Sequence, residues 1–328
     1  MLVIRFSAIG DVAMSVHAVR ALRKTYPDLA ITVATRERQA GFFSGIPDID
    51  FIFLPKEKGF KGLRILLKRI KAGRFDYIAD IHNTLRGKVI RFVLGFCGVR
   101  SAAFDQMRAG RRRIKRKKQL EPPLRNHVLR FCDVFAKLGY PVDAPEPVRE
   151  IRPVPEVFGA KTCTWAGIAP FARKEKKIYP EHLRTRLIEL MSLRFGKVFV
   201  LSGPGEEKAY ADSMAERFPN VVSVFGKTDM NGEVALISNM DVLVTMDSSA
   251  MHMASLTGAP FVALWGGTHP AIGYSAYGAD PEKNYIQLDM PCRPCSTYGE
   301  GKCIYGDYRC LSGISPETVM EKIDRVLC

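Results

Sequence analysis

The feature that most constrains this chain is a unit that keeps recurring: a short apolar run, a turn, then apolar residues at helical spacing. In the first half the runs are VIRF, AITVAT, IDFIFL and FDYIADI, followed by helical patterns at 12–25, 36–45, 60–72 and after Asn83. Runs that are apolar throughout suit strands buried on both faces, and strands alternating with helices imply a mostly parallel sheet. The stretch 141–155, PVDAPEPVREIRPVP, has five prolines and no periodicity and reads as a linker. The series then resumes with TWAGIAP, KVFVLSG, VVSVFG, DVLVTM and FVALWG. Two doubly wound, Rossmann-like α/β domains in tandem are the simplest account, and 328 residues suffice for both cores. Ligands of such sheets bind at the carboxyl ends of the strands, so a cleft between the domains is the expected site.

The opening, MLVIRFSAIGDVAMSVHAVRAL, places a turn at Ser7–Asp11 between the first strand and helix. A dinucleotide-binding turn would read G-x-G-x-x-G, its bare backbone approaching a pyrophosphate. Here Gly10 is alone and Asp11 carries a charge that repels phosphate. The carboxylate argues against a cofactor loop at this turn.

Three later stretches carry chemistry. In DVLVTMDSSAMHMASLTGAP a buried strand ends at Met246, and Asp247 or Ser248 can cap the helix that follows. The amides of its first turn make a diphosphate site, although an ordinary capped helix accounts for the stretch equally well. PFARKEKKIYP sets Arg173, Lys174, Lys176 and Lys177 beyond a strand end, as a second contact to the diphosphate or as a solvated loop. VFVLSGPGEEKAYA sets Glu206 and Glu207 in a first helical turn, where they complement the helix dipole or bind a ribose.

Net charge is +15, and the excess is all in the first half: residues 1–150 hold 30 Lys/Arg against 14 Asp/Glu. Its densest part is RAGRRRIKRKK at 108–118, which reads as a solvated loop or as a site for a polyanion. No aromatic-studded strand or zinc-finger spacing accompanies it, and anionic lipid or a phosphorylated glycolipid fits as well as nucleic acid. No apolar run approaches the roughly 20 residues of a membrane span. Arg5 and Asp11 interrupt the segment where a signal peptide would be continuous, so a cytoplasmic protein is expected.

Together these stretches resemble glycosyltransferase family 9, the heptosyltransferases of lipopolysaccharide core assembly. The resemblance spans essentially the whole chain. It rests on S-A-I-G-D at 7–11, Lys177-Ile178-Tyr179-Pro180, G-P-G-E-E, D-S-S-A-M-H at 247–252 and G-G-T-H-P at 266–270. It implies a GT-B architecture: an acceptor-binding domain at 1–150, a nucleotide-sugar domain at 151–314, and a last helix at 315–328 crossing back to the first domain. It also implies inverting, metal-independent transfer of a heptose from ADP-heptose to an anionic glycolipid at the inner membrane surface, with no cofactor and no nucleic-acid partner.

By the same resemblance Asp11 is the general base, and Lys177, Asp247, Ser248, Ser249 and His252 hold the donor. Glu206 or Glu207 contacts its ribose or base. Arg86, with Arg111, Arg112 and Arg113 of the basic run, contacts the acceptor. Ser249 stands where the family has glycine, and His82-Asn83 where Gln-Gly is common. Another nucleotide sugar as donor, an epimerase on the same scaffold, or a basic membrane- or nucleic-acid-binding module are the rival readings.

Four of the eight cysteines, Cys292, Cys295, Cys303 and Cys310, form C-x2-C-x7-C-x6-C. Four thiols so spaced can hold a structural zinc, although the second pair lacks the C-x2-C spacing. Disulfides are not expected in a cytosolic chain.

Overall fold

In the computed structural model, which describes residues 1–328, eleven parallel strands form two sheets. One unit comprises Met1–Met107 and Arg125–Glu146, the other Arg108–Leu124 and Pro147–Cys328. The first sheet contains β1 (Leu2–Ile4), β2 (Ile31–Thr35), β3 (Ile49–Phe53), β4 (Tyr77–Asp80) and β5 (Arg100–Ala103), in the order β3-β2-β1-β4-β5. The chain order reverses between β1 and β4.

Helix α1 (Ile9–Thr25) follows β1, α2 (Gly59–Ala72) follows β3 and α3 (Leu85–Gly95) follows β4. A 3-10 segment, Glu37–Phe43, occupies the place of the helical pattern expected at 36–45. Leu66 and Ile70 of α2 and Ile90 and Leu94 of α3 pack on Leu2, Ile4 and Ile78 of the sheet and on Phe6 just past β1. Each such fully buried side chain contributes about 1.5–3 kcal/mol.

The basic run begins with a helix, α4 (Arg108–Lys117), that clusters with the second unit, whereas α5 (His127–Ala136) returns to the first and packs on α1. The second sheet contains β6 (Trp165–Ala169), β7 (Lys197–Val200), β8 (Val221–Ser223), β9 (Val242–Met246), β10 (Phe261–Trp265) and β11 (Tyr285–Gln287). Its order is β11-β10-β9-β6-β7-β8, reversing between β6 and β9. The helices here are α6 (Glu181–Arg194), α7 (Glu206–Arg217), α8 (Met230–Ser238), α9 (Ser249–Thr257), α10 (Pro281–Asn284), α11 (Arg309–Ser312) and α12 (Pro316–Leu327).

The last helix belongs to the core of this second unit. Val319, Ile323 and Val326 of α12 share a cluster with Leu187, Ile188 and Met191 of α6 and with β9 and β10. The last helix, expected at 315–328 to cross back to the first domain, thus buries its apolar side within the second unit. Tyr179 secures the same corner by donating its hydroxyl to Ile314 O at 2.5 Å.

Only the latter half of the proline-rich stretch is anchored on the second unit. Glu150 N donates to Thr257 O at 2.8 Å, and Arg152 N to Ser238 Oγ at 3.0 Å. Gly258 makes this passage possible: it ends α9 with φ +66°, and a Cβ there would lie 2.5 Å from Val148 O. A Gly258→Ala variant combines left-handed strain with a backbone clash, and is expected to lose about 1–3 kcal/mol of stability in urea unfolding.

Candidate functional site

Both units concentrate polar side chains at the place where their strand order reverses. In the first unit this is the carboxyl edge of β1 and β4. Arg5, just past β1, is buried; it donates from Nη1 to Ile81 O at 2.6 Å and pairs through Nη2 with Asp11 Oδ2 at 2.5 Å. Asp11 is the third residue of α1 and its Oδ2 also accepts the Ala8 amide at 3.1 Å. The carboxylate therefore closes the helix start itself, and Gly10 lies inside the first turn of α1 instead of forming the bend expected of it.

His82 and Arg86 stand beside this group. His82 Nε2 is 3.3 Å from Ser7 Oγ, its ring meets Phe6 edge-on at 6.0 Å, and the Arg86 guanidinium lies 5.7 Å from the Phe6 ring centre. Burial, reinforced by the positive charge of Arg5, pushes the His82 pKa down to about 3, so the imidazole is neutral near pH 7. The turn that carries His82 is organised by Asp80, a fully buried carboxylate that the sequence did not single out. Asp80 accepts the amides of His82 and Asn83 at 3.2 and 2.8 Å and pairs with Arg91 Nε at 3.0 Å.

In the second unit the reversal lies between β6 and β9. Lys177, in the segment after β6, reaches Asp247 at the end of β9, with Nζ 3.0 Å from Oδ2. Thr268, beyond β10, donates to the same oxygen at 2.7 Å. Asp247 thus holds Lys177 and does not cap a helix. The N-cap of α9 is Ser248, which makes no side-chain capping bond; its Oγ lies 3.1 Å from Thr245 Oγ1. Ser249 opens α9 and His252 is buried one turn along. An uncapped N-terminus beside a lysine is suited to binding a diphosphate.

The two glutamates separate. Glu207 Oε2 accepts Gly203 N at 2.7 Å and shapes the turn after β7, while Glu206 is exposed. The glycines of G-G-T-H-P serve close packing: a Cβ on Gly266 would lie 2.4 Å from Lys176 O. Arg293, unremarked in the sequence, buries its guanidinium against Gly266 O at 2.6 Å and Thr268 O at 3.0 Å, fixing the loop that presents Thr268.

The arginines of the basic run are only partly available. Arg111 is buried, 4.7 Å from the Tyr274 ring centre and hydrogen-bonded to the Tyr298 hydroxyl. Arg113 donates to Pro122 O at 2.9 Å, and Arg112 is exposed. Arg111 and Ile114 share the inward face of this helix, which leaves Arg112 exposed and Arg113 half-buried. In this structure no group of three or more His, Cys, Asp or Glu side chains, the four clustered cysteines included, is arranged to hold a metal ion. Cys310 is packed in the core, where burial raises its thiol to about 11, and Cys295 Sγ lies against Gly267 O at 3.5 Å. All eight cysteines are free.

Two tandem Rossmann-like units of this topology, with Asp11 at the switch point of one sheet and Lys177 beside the start of α9 at that of the other, have the GT-B architecture. The whole chain superimposes on heptosyltransferase structures. It matches Escherichia coli heptosyltransferase WaaC with ADP at a TM-score of 0.72 and 18% identity, over 99% of each chain. A glycosyl transferase family 9 structure from Veillonella parvula gives 0.74 at 20% identity, over 99% of this chain and 96% of the other. Residues 63–302 match glycosyltransferase family 9 (heptosyltransferase), and the chain belongs to that family. Among its relatives is the lipopolysaccharide core heptosyltransferase OpsX of Haemophilus influenzae, 24% identical over 82% of this chain and 79% of that protein. Lipooligosaccharide heptosyltransferase 2 of the same organism is 24% identical over 100% and 99%.

The neutral burial of His82 has a consequence for pH. The unfolded chain binds a proton here below about pH 6.5 that the folded chain refuses until about pH 3, so this contribution is present above pH 6.5 and lost as pH falls. In urea unfolding, the stability of wild type minus that of His82→Gln is expected to be lower at pH 4.5 than at pH 7. An unchanged difference would contradict the assignment.

Proposed function

We propose that this glycosyltransferase moves a heptose from ADP-heptose to the anionic core of a lipopolysaccharide or related glycolipid, inverting the anomeric centre. The observation that carries the reading is Lys177, held by Asp247 beside the uncapped start of α9, at the reversal of the second sheet. No helix of the chain is long and apolar enough to cross a membrane. With a membrane glycolipid as acceptor, the enzyme works as a peripheral protein at the inner face of the cytoplasmic membrane.

In this mechanism the Asp11 carboxylate takes the proton of the acceptor hydroxyl as its oxygen attacks the anomeric carbon. The bond from that carbon to the diphosphate oxygen breaks, and ADP leaves with the electron pair. Lys177 and the first amides of α9 meet the developing charge, which supplies the role a metal ion would otherwise fill. Arg5 fixes the carboxylate, and neutral His82 does not compete with it for charge. Arg86 and Arg112 contact the phosphorylated acceptor. Ser248, Ser249 and His252 line the donor side, and Glu206 serves the ribose because Glu207 is committed to the Gly203 turn. Transfer requires both sets of residues on one donor–acceptor pair.

Asp11→Asn is expected to lower kcat by roughly 10²–10⁴-fold while retaining ADP-heptose binding measured by calorimetry. Loss of donor binding in that variant would remove Asp11 from the acceptor side. Lys177→Met is expected to reduce turnover by roughly 10²–10³-fold, with weakened ADP affinity. A thermal-shift comparison of ADP-, UDP- and GDP-sugars tests the donor, since a ligand at 100 times its Kd stabilises the folded state by about 2.7 kcal/mol. Stabilisation by UDP- or GDP-sugars without a response to ADP-heptose would overturn the donor assignment.

A further inference from the structure

The layer formed by α2 and α3 on the first sheet has an outer side that the core does not explain. Their inner positions, Leu66, Ile70, Ile90 and Leu94, are buried against the sheet. On the outer side Phe60 is 80% exposed, Leu85 78%, Phe92 68% and Phe96 79%. Leu85, Phe92 and Phe96 recur at spacings of seven and four, which places them along one side of α3. Phe92 and Phe96 pack edge to face at 4.9 Å, forming an aromatic ridge instead of burying themselves.

Basic side chains frame this ridge. Lys61, Arg64, Lys68 and Lys71 run along the solvent side of α2, and Lys88 lies between Leu85 and Phe92 on α3. Between Lys56 and Lys88 the exposed charged residues are nine Lys/Arg and two acids, Glu57 and Asp76. An isolated exposed apolar residue needs no explanation, but four large ones on one helical layer do. Large aromatics flanked by lysines and arginines are the chemistry of a surface that lies on a bilayer: rings enter the headgroup boundary, and cations meet anionic lipid.

We propose that the outer face of α2 and α3 docks this enzyme on an anionic phospholipid bilayer. This deepens the membrane-surface reading above by naming the surface. A second copy of the chain is a poor occupant, because pairing the face with itself would oppose two strongly positive fields. The placement also suits the substrate. Arg86 sits next to Leu85 at the start of the same helix, so an acceptor headgroup leaving the lipid surface meets Arg86 and the turn that carries His82.

Vesicle flotation of the full chain, without donor or acceptor, tests the surface separately from the transfer reaction. Wild type is expected to float with vesicles of phosphatidylcholine containing 30% phosphatidylglycerol, and to stay in solution with phosphatidylcholine alone or in high salt. Phe92→Ser/Phe96→Ser and, separately, Lys61→Glu/Arg64→Glu/Lys68→Glu are each expected to weaken flotation at least tenfold. Both variants should keep wild-type thermal midpoints and wild-type turnover on a delipidated, soluble acceptor. Flotation equal to wild type in both variants would overturn the proposal. So would binding abolished only by neutralising the exposed charges of α4, or a wild-type dimer in sedimentation that Phe92→Ser/Phe96→Ser converts to monomer.

Discussion

A guanidinium buried at the carboxyl edge of the first sheet must be neutralised, and the way Arg5 is neutralised organises that unit. Its backbone amide extends the pairing of β1 with β2 through Ala34 O, and its two terminal nitrogens reach Ile81 O past β4 and Asp11 on α1. Its face lies 5.5 Å from the Phe131 ring centre on α5. One side chain therefore ties two neighbouring strand ends to two helices. Removing a partner from such a pair costs about 3–5 kcal/mol, because the remaining charge stays buried. The residue proposed as the base is thus also structural, and its carboxylate is oriented before substrate arrives.

The second unit solves a related problem with the opposite sign of flexibility. Lys177 carries a long side chain that Asp247 and Thr268 restrain, and Arg293 restrains the loop of Thr268 in turn. Pairing with Asp247 leaves the Lys177 ammonium neutralised and held at the strand edge; in the proposed reaction it would exchange that partner for phosphate oxygens. The start of α9 is left without a side-chain cap. Stability is given up at one helix terminus, where an anion can restore it.

The alternation of strands and helices was legible because its signals are local: apolar runs, turn residues and helical spacing lie within a few residues of one another. It missed β5, the sequence Arg-Ser-Ala-Ala, and β11, a three-residue edge strand, because neither has an extended apolar run. It also left RAGRRRIKRKK without an inward face. Arg111 finds one only against Tyr274 and Tyr298, more than 150 residues away, where ring faces take the guanidinium.

By itself the sequence determined two parallel α/β units and put reactive side chains just past the carboxyl ends of their strands, because strand and helix periodicity is written into neighbouring residues. Tertiary structure decided which of those side chains meet. Arg5 reaches Ile81 because β4 lies beside β1, and Lys177 reaches Asp247 because β9 lies beside β6. Strand order is set by crossover packing across the whole unit, so the partners of Asp11, Lys177 and Asp247 became readable only once the sheets were assembled.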